Sequence, residues 1–364
     1  MRRLIVVLLV GLLWPAPAGA AGSPPVSTSP PVVHGKPVVG HTLEVKPGAW
    51  EPTDATLTHR WTRDGDPVSG ATGTTYTLVA QDVGHLIAVT ETATASDGAT
   101  TSVDSDPVGP VRKPTLHLDT EPAITGVMRY QRTVTADLGD TRPNAGSVSF
   151  HWLRDGERVT GPRGHYRLGY RDVGHRMRLV VAYHRDGYRT LHVRSAARTV
   201  LHRVAVRRTF SYSVRTKGDV TADVAVFRKQ AQQTYDDPRG WRAAGFAFHR
   251  VRRGGDFTLV LATAAMVPTY SSACSSTWSC RVGRFVIINQ TRWLHASPAW
   301  NRAHLPRRGY RHLVVDHETG HWLGHPHAQC SGSGPAPVMM QQSKGTGACS
   351  FNPWPLPAER WTSR

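Results

Sequence analysis

Two copies of one pattern, about 90 residues apart, constrain the first half of this chain more tightly than any other feature. The first copy reads His59-Arg60-Trp61-Thr62-Arg63-Asp64-Gly65 and then Asp82-Val83-Gly84-His85. The second reads Phe150-His151-Trp152-Leu153-Arg154-Asp155-Gly156 and then Asp172-Val173-Gly174-His175. The tryptophans stand 91 positions apart and the tetrads 90. Asp64-Gly65 and Asp155-Gly156 are hairpin-turn pairs, because both residues tolerate positive φ. Short alternating stretches lie between the landmarks, among them Thr75 to Leu78, Leu86 to Thr90 and Arg178 to Ala182. Strands of this length and spacing predict an all-β sandwich for each copy. Neither copy contains a cysteine, so each tryptophan must pack without an inter-sheet disulfide. His85 and His175 have no neighbouring ligand cluster and read as parts of a turn rather than of a metal site.

The repeats resemble bacterial immunoglobulin-like modules of secreted and surface proteins, and the resemblance implies spacer or adhesive roles. Fold alone assigns them no function. Their boundaries are read as residues 32–111 and 112–200, with a further domain over 201–364. Residues 1–21 carry Arg2 and Arg3, an apolar run from Leu4 to Trp14 and then small residues, the pattern of a secretory signal. Residues 22–31 read as a Pro/Ser linker. No later apolar stretch approaches the length of a membrane span, so the mature protein is expected to be exported and soluble.

Charge divides the chain in the same places. Residues 22–111 carry 4 basic and 10 acidic side chains, residues 112–200 carry 16 and 8, and residues 201–364 carry 22 and 8. The excess of +18 therefore sits on the second module and the last domain. A basic exported surface attracts anionic wall polymers, lipid headgroups or acidic proteins. No nucleic-acid motif accompanies the charge, so specific nucleic-acid binding is not expected.

The last domain reads as α+β. Phe210 to Arg215, Phe246 to Val251, Phe257 to Ala262 and Phe285 to Asn289 have the pattern of strands, with Gly254-Gly255 as a turn. Val220, Val224, Phe227, Ala231 and Tyr235 lie on one face of a helix expected over Asp219 to Tyr235, with Asp219 as its N-cap. A second helix is expected over Arg311 to Leu323.

That helix carries the chemistry. Residues 317–327 read HETGHWLGHPH. His317 and His321 are four apart, so a helix stacks them on one face and both reach a single metal ion. Glu318 is placed to act as general base for a water. Gly324 can take positive φ, end the helix and return the chain, bringing His327 round as third ligand. Three nitrogen ligands and one open position mark a catalytic zinc site for one ion. His325 is the competing third ligand, and the spacing after Gly324 favours His327. Asp316 is either a support for a ligand imidazole or a solvated acid. His304 and His312 lack ligand spacing, and Trp322 and Leu323 read as core.

His317, Glu318, His321, Gly324 and His327 resemble the active-site consensus of the metzincin zinc endopeptidases. The resemblance implies a methionine turn below the metal. Pro337-Val338-Met339-Met340-Gln341 fits it, with Met339 as the methionine and Met340 as the fallback. Gln341 stands where some metzincins have a tyrosine, so no role of that tyrosine carries over. A group of secreted actinobacterial proteins of uncharacterised function is similar over roughly residues 205–357, through His317 to His325, Met340 to Ser343 and Asn352 to Pro355. The clan also implies substrate pairing along a sheet edge, for which Arg281 to Asn289 or the loop before it is the candidate.

Cys274, Cys280, Cys330 and Cys349 all lie in this domain, and an even count in an exported chain predicts two disulfides. Three pairings are possible. Cys274 with Cys280 and Cys330 with Cys349 closes the smallest loops, and the second of these would clamp the methionine turn. A second zinc site is the rival, but no C-x-x-C pair exists. The expectation is thus two all-β immunoglobulin-like sandwiches followed by an α+β metzincin-like zinc peptidase domain. The protein would be secreted, with the cell wall as the surface it is expected to meet, and would hydrolyse peptide or protein substrates. A wall-binding adhesin with a structural zinc and a zinc amidase of peptidoglycan peptides are the alternatives.

Overall fold

The computed structural model describes residues 23–160 and 163–364. The signal expected over residues 1–21 lies outside the described residues. Two compact units divide the chain. One is built on residues up to Asp119 with Asp140–Val148 and Ala182–His192, the other on Thr120–Gly139, Ser149–Val181 and Val193–Arg364.

Both modules are immunoglobulin-like β-sandwiches. In the first, Thr56–Arg63 and Ile87–Thr94 pair antiparallel over their whole length, flanked by Asp66–Pro67 and Thr100–Asp104. The facing sheet is Val32–His34, Thr42–Lys46 and Thr75–Thr77. Ile87–Thr94 alternates strictly between buried and half-buried residues, because a strand turns successive side chains to opposite faces. Trp61 is fully buried among Leu43, Val45, Leu78, Ile87 and Val89, and its Nε1 donates to the carbonyl of Gly73. Asp64 and Gly65 both have positive φ and close the hairpin.

The Asp-Val-Gly-His tetrads now have a physical reading. Asp82 is buried and accepts hydrogen bonds from Arg63, Tyr76 Oη and the amide of Val79. Asp172 does the same with Arg154, Tyr166 Oη and the amide of Gly169. His85 and His175 each hydrogen-bond the aspartate of the hairpin turn, Asp64 and Asp155. The tetrad thus pins one sheet edge to the turn.

Part of the stretch expected as a linker is structured. Val26–Ser29 forms a strand antiparallel to Ala49–Glu51. The prolines flank this strand and do not enter it, so they mark its ends rather than break it.

The last domain is built on a five-stranded sheet. Its strands are β1 (Arg208–Lys217), β2 (Phe246–Arg250), β3 (Phe257–Ala262), β4 (Cys280–Val282) and β5 (Phe285–Asn289). In space they run β2-β1-β3-β5-β4, all parallel except β4. Strands β2 and β3 flank β1, pairing with its first and second halves. The segment 251–256 therefore crosses over β1 instead of making a hairpin. Val251 donates to Tyr212, Asp256 donates to the Ser211 carbonyl, and Asp256 accepts from the Ser211 amide. A Cβ on Gly255 would stand 3.0 Å from the Ser211 carbonyl oxygen, which is why glycine occupies this crossing.

Helix α1 (Val224–Asp236) starts later than the periodicity suggests. Its cap is Asp223, not Asp219, and accepts from the amides of Ala225 and Val226. The amides of Thr221 and Ala222 bond Gln290 instead, a tertiary contact that keeps those residues out of the helix. Short helices α2 (Gln290–His295) and α3 (Pro298–Arg302) lead into α4 (Arg307–Leu323), which begins one turn before the expected Arg311. Helix α4 buries Tyr310, Leu313, Val315, Trp322 and Leu323 in the aromatic core, where Trp322 packs on Phe210 and Phe257. Cys274 is bonded to Cys280, and Cys330 to Cys349.

Candidate metal centre

Helix α4 ends at Gly324, whose φ of 107° is left-handed. The amide of His325 then donates to the carbonyl of Gly320, 3.0 Å away, folding the chain back over the last turn. This return sets His327 beside His317 and His321. One ring nitrogen of each lies within 4.8 Å of the others.

On two of the rings the opposite nitrogen is fixed. His317 Nδ1 donates to the Val338 carbonyl at 2.8 Å, and His321 Nδ1 donates to the His325 carbonyl at 2.8 Å. A backbone acceptor on Nδ1 selects the tautomer with a bare Nε2 lone pair, the arrangement of metal-ligating imidazoles. Nε2 of His321 and Nε2 of His327 stand 3.1 Å apart. Nitrogens bound tetrahedrally at about 2.0–2.1 Å would be roughly 3.3 Å apart, so this pair has the spacing of two zinc ligands, and the nitrogen of His317 lies within 4.8 Å of both. Burial pushes His317 down to about 3 and His321 down to about 4, and also lowers His327. All three are therefore neutral, and able to ligate, at pH 7.

Glu318 is buried and lines the same cleft as the three histidines. Burial raises its carboxyl to about 8, and the Arg281 guanidinium acts in the opposite direction. A bound dication would pull it further down and ionise it. The cleft encloses about 560 Å³. Helix α4, the 273–281 segment and the 340–344 segment line it. Of the region expected as a sheet edge, only Cys280–Val282 is an edge. Phe285–Asn289 is paired on both sides and buried.

Met339 and Met340 occupy different places. Met339 is buried beneath the helix, where any Cβ on Gly320 would run into its sulfur. Met340 lines the cleft. The Cys330–Cys349 bond closes the loop that carries both.

A family of unknown function covers this region. Its model, described as a protein of unknown function (DUF3152), matches residues 181–357. No curated protein matches the chain in sequence. Among solved structures, the three N-terminal domains of the bacteriophage RB49 highly immunogenic outer capsid protein are 15% identical. They match 51% of this chain and 65% of that one, with a TM-score of 0.23. The tandem Ig repeats of Dlar are 16% identical over 46% of this chain and 96% of that one, with a TM-score of 0.14. Fibronectin domains 1–3 of chicken CNTN1 are 12% identical over 48% and 66%, with a TM-score of 0.17.

Several residues have roles that the motif does not announce. Glu359 is buried, and its carboxylate accepts from the amides of Val338, Met339 and Leu356. It thereby holds the backbone whose carbonyl orients His317. Its one sequence signal is scarcity, since Glu318 and Glu359 are the two glutamates of residues 201–364. Arg281 donates from β4 to the carbonyl of His321 at 2.7 Å. His325 is packed between Trp241 and Trp361, with Nε2 against the Trp361 carbonyl, so its ring is not turned to the site.

Asp316 meets neither of its expectations. It is fully buried, its carboxyl oxygens have no hydrogen-bond partner within the described residues, and burial raises it well above the carboxylate range. The imidazoles of His317 and His321 take their supports from backbone carbonyls instead. His312 is buried against Trp354 and bonds Thr234 Oγ1, and His304 sits in a positive-φ turn. Among the described residues no helix is long and apolar enough to cross a membrane.

Proposed function

We propose that this chain is a zinc-dependent endopeptidase whose last domain has the α+β metzincin arrangement. The observation that carries the reading is the convergence of three imidazoles, two of them fixed through Nδ1 by backbone carbonyls, in a cleft that also contains a buried carboxyl. His317, His321 and His327 would hold the ion, and Met339 would support it from below without ligating. Zinc, when bound, supplies Lewis acidity toward the scissile carbonyl and makes water a nucleophile near neutral pH.

The protein supplies the rest. Glu318 takes a proton from the attacking water onto its carboxylate and returns it to the leaving amine. Burial raises this carboxyl in the metal-free chain, and a bound dication would offset that and ionise it for the role of base. A structural metal site has no use for such a base, which favours hydrolysis over a purely adhesive role. The free edge of Cys280–Val282 offers backbone groups to an extended peptide, so binding by strand addition needs no particular sequence. The two β-sandwich modules would space the catalytic domain from a surface in an exported, wall-associated protein.

Chelation tests the reading. Peptide hydrolysis by the full chain should vanish with a strong chelator and return with one equivalent of zinc. Hydrolysis that persists in the metal-free protein would overturn it.

A further inference from the structure

The cleft is asymmetric in charge. Its walls carry two cations, Arg281 on β4 and Lys344 in the segment after Met340, and no acidic group apart from Glu318. Neither cation forms an ion pair among the described residues. Arg281 uses one N–H for the His321 carbonyl, leaving the other donors of its guanidinium uncommitted. Lys344 is exposed and donates to the neutral amide of Gln341 at 3.0 Å. Both line the same cleft as His317, Glu318, His321 and His327, and Arg281 is bonded directly to the backbone of His321. They come from separate segments of the wall of one cleft.

We propose that the cleft selects peptides with acidic side chains beside the bond presented to the histidines, and that Arg281 and Lys344 are the receptors for those carboxylates. This rests on the peptidase reading and adds the substrate class to it. Arg281 is the stronger determinant. It is part-buried, so an incoming carboxylate finds a fork of donors with little competing water. Lys344, in solvent, contributes a weaker attraction that salt screens. A basic peptide would bring like charge to both and would leave Arg281 unpaired at a partly desolvated position. The same field steers acidic substrates toward a domain whose surface is already basic.

The test separates binding from turnover. The zinc-loaded full chain carrying Glu318→Ala is titrated with fluorescent octapeptides that differ only at two central positions, filled by Glu, Gln or Lys, with anisotropy as the readout. The Glu peptide should bind about tenfold tighter than the Gln peptide and the Lys peptide weakest. Added Lys344→Glu should narrow the gap, Arg281→Gln should abolish most of it, and Arg281→Lys should restore part. Equal binding of the three peptides, or tightest binding of the Lys peptide, overturns the proposal. The same peptides are then offered to the chain with Glu318 intact. Cutting without regard to charge overturns the acidic preference and leaves the peptidase reading standing. Preferential binding of the Glu peptide with no cutting supports the preference and removes the peptidase reading.

Discussion

His317 and Val338 are joined by a 2.8 Å hydrogen bond from Nδ1 to the backbone carbonyl, across 21 residues of sequence. The amide of the same Val338 donates to Glu359 at 3.0 Å. One residue thus connects a buried carboxylate to the imidazole of His317. Glu359→Ala should weaken zinc binding by about 10–100-fold, the usual cost of losing a support behind a ligand. Glu359→Gln keeps one acceptor oxygen and should recover part of it. Competition with a chromophoric chelator measures both. Unchanged affinity in Glu359→Ala would show that the Val338 carbonyl keeps its place unaided.

Gly320 faces Met339 and Trp241 so closely that a methyl group has no room. Gly320→Ala raises helix propensity yet should destabilise the domain by about 1–3 kcal/mol through overpacking. Urea denaturation checks the sign. A stabilised variant would mean that Met339 does not press on the helix.

The buried and half-buried histidines set the acid limit of the metal-free protein. Burial pushes His312 and His317 down to about 3 and His202 and His321 down to about 4. In the unfolded chain these groups titrate near 6.5. As pH falls below about 6.5 the unfolded state takes up protons that the folded state refuses, so stability declines toward pH 3–4. Glu318, raised to about 8, works with the opposite sign, losing stability as pH rises from about 4.5 to about 8. His312→Phe should flatten the acid limb, measured as the urea midpoint between pH 4 and 7 without metal. An unaltered limb would contradict the burial of that ring.

The Cys330–Cys349 bond joins residues 19 positions apart and closes a loop around the Met339 turn. Chain-entropy reasoning assigns such a loop about 3 kcal/mol. Replacing both cysteines by serine should lower stability by that order and weaken zinc binding, because the Val338 carbonyl loses its restraint. Replacing Cys274 and Cys280, which close a shorter loop beside the cleft, should cost less stability and leave zinc affinity intact.

Much of this architecture was legible because it is written in local rules. Alternation and Asp-Gly turns reported the modules, four-residue spacing reported helix α4, and Gly324 reported its end. The parts that were not legible depend on distant partners. Gln290 draws Thr221 and Ala222 out of helix α1 and moves the cap to Asp223. Glu359 reaches back 20 and 21 residues to the turn above Met339. Val26–Ser29 looks like linker until Ala49–Glu51 offers it a ladder. The pairing of β2 and β3 on opposite sides of β1 is likewise invisible to a pattern that sees two strands and a glycine turn.

The most direct measurement is cleavage of a mixed peptide library by the zinc-loaded full chain, with Glu318→Ala in parallel at equal zinc content. The account predicts one bound zinc in each protein, cut products with the wild type and at least a hundredfold slower cutting with the variant, since a positioned base contributes about 10²–10⁴-fold. Equal zinc in both proteins and no cut products from either would contradict it.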